Sequence, residues 1–264
     1  MRFSRIVMLA AGLGAMTACD SDDVNAPSIP PLASVRFINA VADTGAVDIR
    51  MIDQIEFSAV GNAIAFRAGT EYFPTEAKTR RIKVFPTSRN IAVTQNHLLE
   101  TIVDIQANTR VTLLLVGNAR DKSTLRFVVI SDDASAPPAG MISVRIVNAA
   151  TGAIDGYLVN AVADPIAPPA TATNVAALAQ SAYVTRATGA AALRVTDASS
   201  VTVNASAAGP VAAVLAGALP AAGVNSAGTK FSVYYFPRGV LGSNNNAVAT
   251  PTAIWFVDRN PSDT

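Results

Sequence analysis

The chain has 264 residues, half of them apolar and 15% charged, with 20 Lys and Arg against 19 Asp and Glu. That balance excludes a disordered polyelectrolyte and leaves no electrostatic footprint for nucleic acid or anionic lipid. One Cys and one His exclude a disulfide framework and a Cys/His zinc site.

Residues 1–18 read as an export signal, with Arg2 and Arg5 as its basic start and Ile6 to Met16 as an apolar run too short to span a bilayer. Met16-Thr17-Ala18-Cys19 resembles the lipobox of bacterial lipoproteins, with Met16 in place of the usual Leu. Cys19 is therefore the expected lipid attachment site, and the expected membrane contact is through acyl chains. Removal of the signal leaves 18 basic and 19 acidic side chains, a formal charge of −1. Residues 19–33 mix acid, Ser and Pro without periodicity and read as a disordered tether. The implied location is the periplasmic side or the cell surface.

The next stretch occurs twice. Ser34-Val35-Arg36-Phe37-Ile38-Asn39-Ala40 followed by Val47-Asp48 returns as Ser143-Val144-Arg145-Ile146-Val147-Asn148-Ala149 followed by Ile154-Asp155. Tyr72, Ile82 and Val84 match Tyr183, Leu193 and Val195 at a constant offset, and residues 107–113 resemble residues 227–233, so the repeat runs the length of both halves. Val35/Phe37, Val47/Ile49/Met51, Ile82/Val84 and Val111/Leu113/Leu115 alternate at period two, the pattern of strands buried on one face. Turn signals separate them at Thr44-Gly45, Gly61-Asn62, Ala68-Gly69 and Gly117-Asn118. The predicted fold is all-β: two tandem immunoglobulin-like antiparallel β-sandwich domains over 34–133 and 141–259, a linker at 134–140 and a tail at 260–264. Pro137-Pro138 and Gly140 predict a hinge with few shared core contacts and halves that fold independently. One short helix is expected, from Asn174 to Ser181. The uncharged stretch 198–229 is broken by Pro210 and Pro220, which makes it a buried strand or hairpin and not a membrane span.

Val35-Arg36-Phe37-Ile38-Asn39-Ala40 with Ala46-Val47-Asp48 resembles a family of bacterial secreted and lipid-anchored domains named domain of unknown function 4397. The resemblance covers residues 34–259, with Gly156 standing where a β-former is usual. It implies an exported β-sandwich, often in tandem, and brings no activity or catalytic residue with it.

Residues able to carry chemistry are few. His97, the sole His, would have to serve as any imidazole base, and it sits at a loop-to-strand junction where a surface role is expected. Asp48 and Asp155, one in each repeat, could act as paired carboxylates on a glycan. Their expected role is structural, holding backbone or pairing with Arg36 and Arg145, which repeat in step. Asn39 and Asn148 read as turn-formers. Asp132 and Asp133 at the hinge are weighed as a Ca²⁺ site but lack the spacing of one. Tyr234, Tyr235 and Trp255 are the candidates for aromatic contact with a ligand, against core packing. No cofactor and no metal is expected. The resulting reading is a non-catalytic binding or structural module with a protein or glycan partner at the envelope. The alternative is an envelope hydrolase acting on carbohydrate through paired carboxylates, and a third reading is an assembly factor that recruits by strand addition.

Overall fold

Successive side chains of a strand point to opposite faces, and in β1 (Leu32–Asn39) both faces are covered: Val35 and Phe37 on one side, Arg36 and Ile38 on the other, are all buried. The computed structural model, which describes residues 29–53, 59–213 and 220–263, is built outward from strands of this kind. Cys19 and the export signal lie outside the described residues. The first repeat continues with β2 (Val47–Met51), β3 (Phe73–Glu76), β4 (Thr79–Pro86), α1 (Ile91–Thr94), β5 (Leu99–Asp104), β6 (Arg110–Asn118) and β7 (Asp121–Asp132). The second contains β8 (Met141–Asn148), β9 (Ile154–Val159), β10 (Ala172–Val175), β11 (Val184–Ala187), β12 (Ala192–Asp197), β13 (Val203–Ala208), β14 (Lys230–Phe236) and β15 (Thr252–Arg259).

Each repeat forms two sheets, and the strand orders correspond. β3-β1-β6-β7 and β2-β4-β5 in the first repeat match β11-β8-β14-β15 and β10-β9-β12-β13 in the second. Where the second repeat has β10, the described residues of the first have a bridge between Val47 and Ile64. Pairing is antiparallel except once per repeat, where β1 runs parallel to β6 and β8 parallel to β14. Parallel neighbours need a long connection, and here most of a repeat lies between the two strands.

The expected helix at 174–181 is absent. Ala172–Val175 pairs with β9 instead, and Asn174 and Leu178 take φ of 50° and 59°, values incompatible with a right-handed helix. Pairing along a sheet edge outweighs the helix propensity of a short Ala-rich stretch. The helix that forms, α1, is capped by Asn90, whose side chain accepts from the Ala92 N–H.

Val35, Phe37, Ile82, Leu113 and Leu115 fill the space between the two sheets of the first repeat. Val144, Ile146, Leu193, Phe231 and Val233 do the same in the second. A third cluster joins the repeats: Ile38, Leu114 and Ile130 from one meet Val147, Tyr234 and Phe236 from the other. The molecule is thus four sheets deep, with β1, β6, β8 and β14 in the two inner layers. The expected hinge with few shared contacts is not what forms. Pro31–Thr264 is one compact unit, because the inner strands carry apolar side chains on both faces and the second face needs a partner. β1 also begins at Leu32, inside the expected tether, where it pairs with Glu76.

Candidate functional site

The seam between the inner sheets changes character along its length, and the two-residue period explains how. On the seam-facing register, β1 presents Arg36, Ile38 and then Ala40; β6 presents Thr112, Leu114 and Val116; β8 presents Arg145, Val147 and Ala149; β14 presents Ser232, Tyr234 and Phe236. The first member of each set is polar, the second packs the middle of the seam, and the third approaches a cleft.

At the polar end the repeats exchange ion pairs. Arg36, 1% exposed, donates from Nη2 to Asp258 Oδ1 at 2.8 Å, from Nη1 to the Val257 carbonyl at 3.0 Å, and from Nε to Thr112 Oγ1 at 3.0 Å. Arg145, 3% exposed, donates to Asp132 Oδ1 in the opposite direction across the seam, and to Ser232 Oγ at 2.6 Å and Gln180 Oε1 at 2.8 Å. The second oxygen of each carboxylate is filled symmetrically: Tyr72 and Thr112 hydroxyls donate to Asp132, both at 2.7 Å, and Tyr183 and Ser232 hydroxyls to Asp258 at 2.8 and 2.5 Å. Each guanidinium also lies over its repeat's tyrosine, Arg36 at 4.4 Å from the Tyr72 ring and Arg145 at 4.7 Å from Tyr183. Burial works against the charge of Arg36, but Tyr72, Tyr234, Asp258 and Asp132 outweigh it and hold the guanidinium more firmly protonated than usual. Burial, helped by the charge of Asp258, lifts the Asp132 carboxyl above its usual range against the pull of Arg36 and Arg145. A buried pair of this sort gives geometric specificity more than net stability, since desolvation offsets most of the attraction.

In the middle, Tyr234 is fully buried against Phe236 and Phe256, and burial pushes its phenol up to about 12. Its hydroxyl has no hydrogen-bond partner among the described residues.

At the far end the seam opens into a cleft of about 740 Å³ with walls from both repeats. One wall is the connection between β14 and β15, residues 237–251, which crosses onto the first repeat. Val240 N–H donates to the Ala42 carbonyl at 3.2 Å, Asn245 Nδ2 to the Thr44 carbonyl at 2.5 Å, and Arg67 to the carbonyls of Pro237 and Thr250. The corresponding turn of the first repeat is tight, with Asn118 opposite Asp121. Inside the cleft Ala40, Val116, Ala149, Leu178 and Val240 are apolar, Arg126 and Arg238 supply the charge, and no lining residue is acidic.

The residues expected to matter are placed as follows. Arg36 and Arg145 do not pair with Asp48 and Asp155: the arginines face the seam, whereas β2 and β9, which carry the aspartates, belong to the outer sheets. Asp48 accepts from the Ala63 N–H at 2.8 Å and the Thr87 hydroxyl at 2.6 Å, with Arg50 at 3.5 Å. Asp155 accepts from the Asn174 and Ser199 N–H groups at 2.6 and 2.8 Å. Ala63, Asn174 and Ser199 all have positive φ, so these carboxylates secure residues in the left-handed region. Asn39 accepts from the Val41 N–H and donates to the Ile64 carbonyl, and Asn148 accepts from the Ala150 N–H and donates to the Val175 carbonyl. His97 is half-exposed, 3.7 Å from Glu100. Tyr234 and Tyr235 are buried, and Trp255 packs edge-on against Phe231 while its Nε1 donates to the Ala207 carbonyl, so the three form no exposed platform. Asp133 pairs with Lys230 and Asp132 with Arg145, which leaves the hinge carboxylates engaged by protein cations. Among the described residues no group of three or more His, Cys, Asp or Glu is placed to hold a metal ion, and no helix is long and apolar enough to cross a membrane. Asp258, Arg126 and Arg238 escape a sequence reading. The one available signal was that both aspartates stand at the end of their repeat's last strand, Asp132 as its final residue and Asp258 next to last.

The model of the family described as Domain of unknown function (DUF4397) matches residues 33–157. The match takes in the first repeat, β8 and most of β9; beyond it, likeness to the family rests on the internal repeat. Gly156, the departure noted above, lies where a Cβ would collide with the tip of Ile146. Solved alpha-glucan-recognising family 41 carbohydrate-binding modules from streptococcal virulence factors are 10% identical over 66% of this chain and 85% of theirs, with a TM-score of 0.20. An alpha-glucan-binding streptococcal virulence factor is 13% identical over 65% and 83%, also at 0.20. Likeness at that level carries no argument about ligand. Comparison with curated proteins gives no match.

Proposed function

We propose that this chain, whose residues 33–157 belong to the DUF4397 family, is an exported envelope protein held by lipid at Cys19 and acting as a non-catalytic binding module. The observation that carries the reading is the cleft at the end of the seam: about 740 Å³, walled by both repeats and closed on one side by residues 237–251. Its size is in the range of ligand sites, and apolar walls with a few polar groups are what such sites use. The carboxylates that a glycan hydrolase would need are otherwise engaged: Asp48 and Asp155 on backbone N–H groups, Asp132 and Asp258 on arginines.

Two measurements test the reading. Cys19→Ser should move the protein from the membrane to the soluble fraction, and retention after a carbonate wash would refute the lipid anchor. The full chain carrying Cys19→Ser, recovered from envelope extract and examined by native mass spectrometry, should hold a bound species. Ala177→Trp, an exposed substitution on the cleft wall, should lose it. A species retained equally by Ala177→Trp would move the site elsewhere, and turnover of envelope glycan by the purified protein would favour the hydrolase.

A further inference from the structure

The two ends of the seam treat their arginines differently. At the polar end Arg36 and Arg145 each meet an aspartate from the other repeat. At the cleft end Arg126 stands opposite Val116 in the β6–β7 register, hence on the seam-facing side, and Arg238 lies two residues beyond Phe236, the last residue of β14, in the connection to β15. Both line the cleft, and neither forms an ion pair among the described residues. Arg126 donates from Nη1 to the Thr124 carbonyl at 3.2 Å. The corresponding positions in the other repeat are Thr252 and Asn118, so the symmetry that matches charge at one end is broken at the other by two cations that meet no anion among the described residues.

The rest of the lining narrows what would complement them. Ala40, Val116, Ala149, Leu178 and Val240 are aliphatic, Leu241 is 80% exposed beside them, and no aromatic ring lines the cleft. A sugar would be expected to stack on rings, whereas an alkyl chain needs only apolar area removed from water. A guanidinium fork matches the two oxygens of a carboxylate.

Resting on the binding-module reading, we propose that the cleft binds an aliphatic carboxylate of the fatty-acid class, its chain against the aliphatic walls and its carboxylate between Arg126 and Arg238. Charge complementarity with two arginines that the fold leaves unmatched is the ground for this occupant.

The probe is dodecanoate, titrated calorimetrically into the Cys19→Ser chain without detergent. Arg126→Ala and Arg238→Ala should each weaken binding by about tenfold, the loss expected of a charge-assisted hydrogen bond. Dodecanol should bind wild type and the double variant alike, because it reports only the walls, and dodecyltrimethylammonium should bind wild type more weakly than either. Unchanged thermal melting will establish that the variants fold. Equal dodecanoate affinity in wild type and the double variant overturns the proposal, as does tighter binding of dodecyl phosphate than of dodecanoate. If dodecanoate fails to bind while another species is lost from Ala177→Trp, the fatty-acid assignment falls and the binding-module reading stands.

Discussion

Asp258 receives Arg36, Tyr183 and Ser232 at once, from both repeats. Asp258→Ala leaves a buried guanidinium without its anion, and removal of one partner of a buried pair costs about 3 to 5 kcal/mol; urea unfolding followed by circular dichroism should show a loss of that size. Asp155→Ala frees two backbone N–H groups at left-handed residues and should cost about 1 to 3 kcal/mol in the same assay. Asp48→Ala should fall at or below the lower end, since water can reach the groups it releases. Asp133 contributes to the acid dependence of stability. Slight burial pushes the Asp133 carboxyl up, but the Lys230 ammonium and the Ser135 N–H and hydroxyl pull it down to about 2. A depressed carboxyl contributes stability above its unfolded value near 4, and that contribution disappears as pH falls towards 2. Between pH 4 and pH 2 the wild type should therefore lose more stability than Asp133→Asn, as read by urea midpoints at each pH. The sequence identified Asp48 and Asp155 as holders of backbone but paired the wrong cations with them, because repetition in step says nothing about which face a side chain takes.

The elements divide by how many of their faces are covered. β2 and β4 alternate between core and solvent, the pattern their sequences announce, whereas in β5 Val103 is buried and its neighbour Ile102 is exposed. β6 and β14, by contrast, read Val-Thr-Leu-Leu-Leu-Val and Phe-Ser-Val-Tyr-Tyr-Phe and are buried on both sides. Near-continuous apolar runs are what doubly covered strands require; the alternation of Val111, Leu113 and Leu115 predicts one buried face, and Leu114 and Val116 are buried as well because the second repeat covers the other. A close approach fixes one more element. Gly69 bridges to Ile38, and a Cβ there would meet the Phe37 carbonyl at 2.8 Å, Ile38 Cγ1 at 2.8 Å and Phe256 Cε1, from the other repeat, at 3.0 Å. Gly69→Ala should force a shift in the seam and cost about 1 to 3 kcal/mol, measurable as a lowered urea midpoint.

The shared seam should make the repeats unfold as one unit. Separating them would expose Ile38, Leu114, Ile130, Val147, Tyr234 and Phe236 and leave four buried charges unmatched. Burying each large apolar side chain is worth about 1.5 to 3 kcal/mol, so each half alone should be less stable than the whole chain. Calorimetry of the Cys19→Ser chain should give a single transition whose van't Hoff and calorimetric enthalpies agree. Two resolved transitions would mean that the linker, and not the seam, governs the coupling.

The tandem repeat, the all-β character and the turn-holding asparagines were written in local pattern: a period of two, Asn at strand ends and an internal match that a single chain can display. For β1 and β6 local pattern marked one buried face each, through Val35 and Phe37 and through Val111, Leu113 and Leu115. It could not say what would cover their second face, because a strand's alternation fixes only that two faces exist. Docking the inner sheets decided that. It brought Arg36 to Asp258 and Arg145 to Asp132 across more than 100 residues of chain in the first case, and it drew residues 237–251 over the first repeat. It also left Arg126 and Arg238 facing a cleft with no acid among the described residues to meet them, since which charges are matched depends on which surfaces are pressed together.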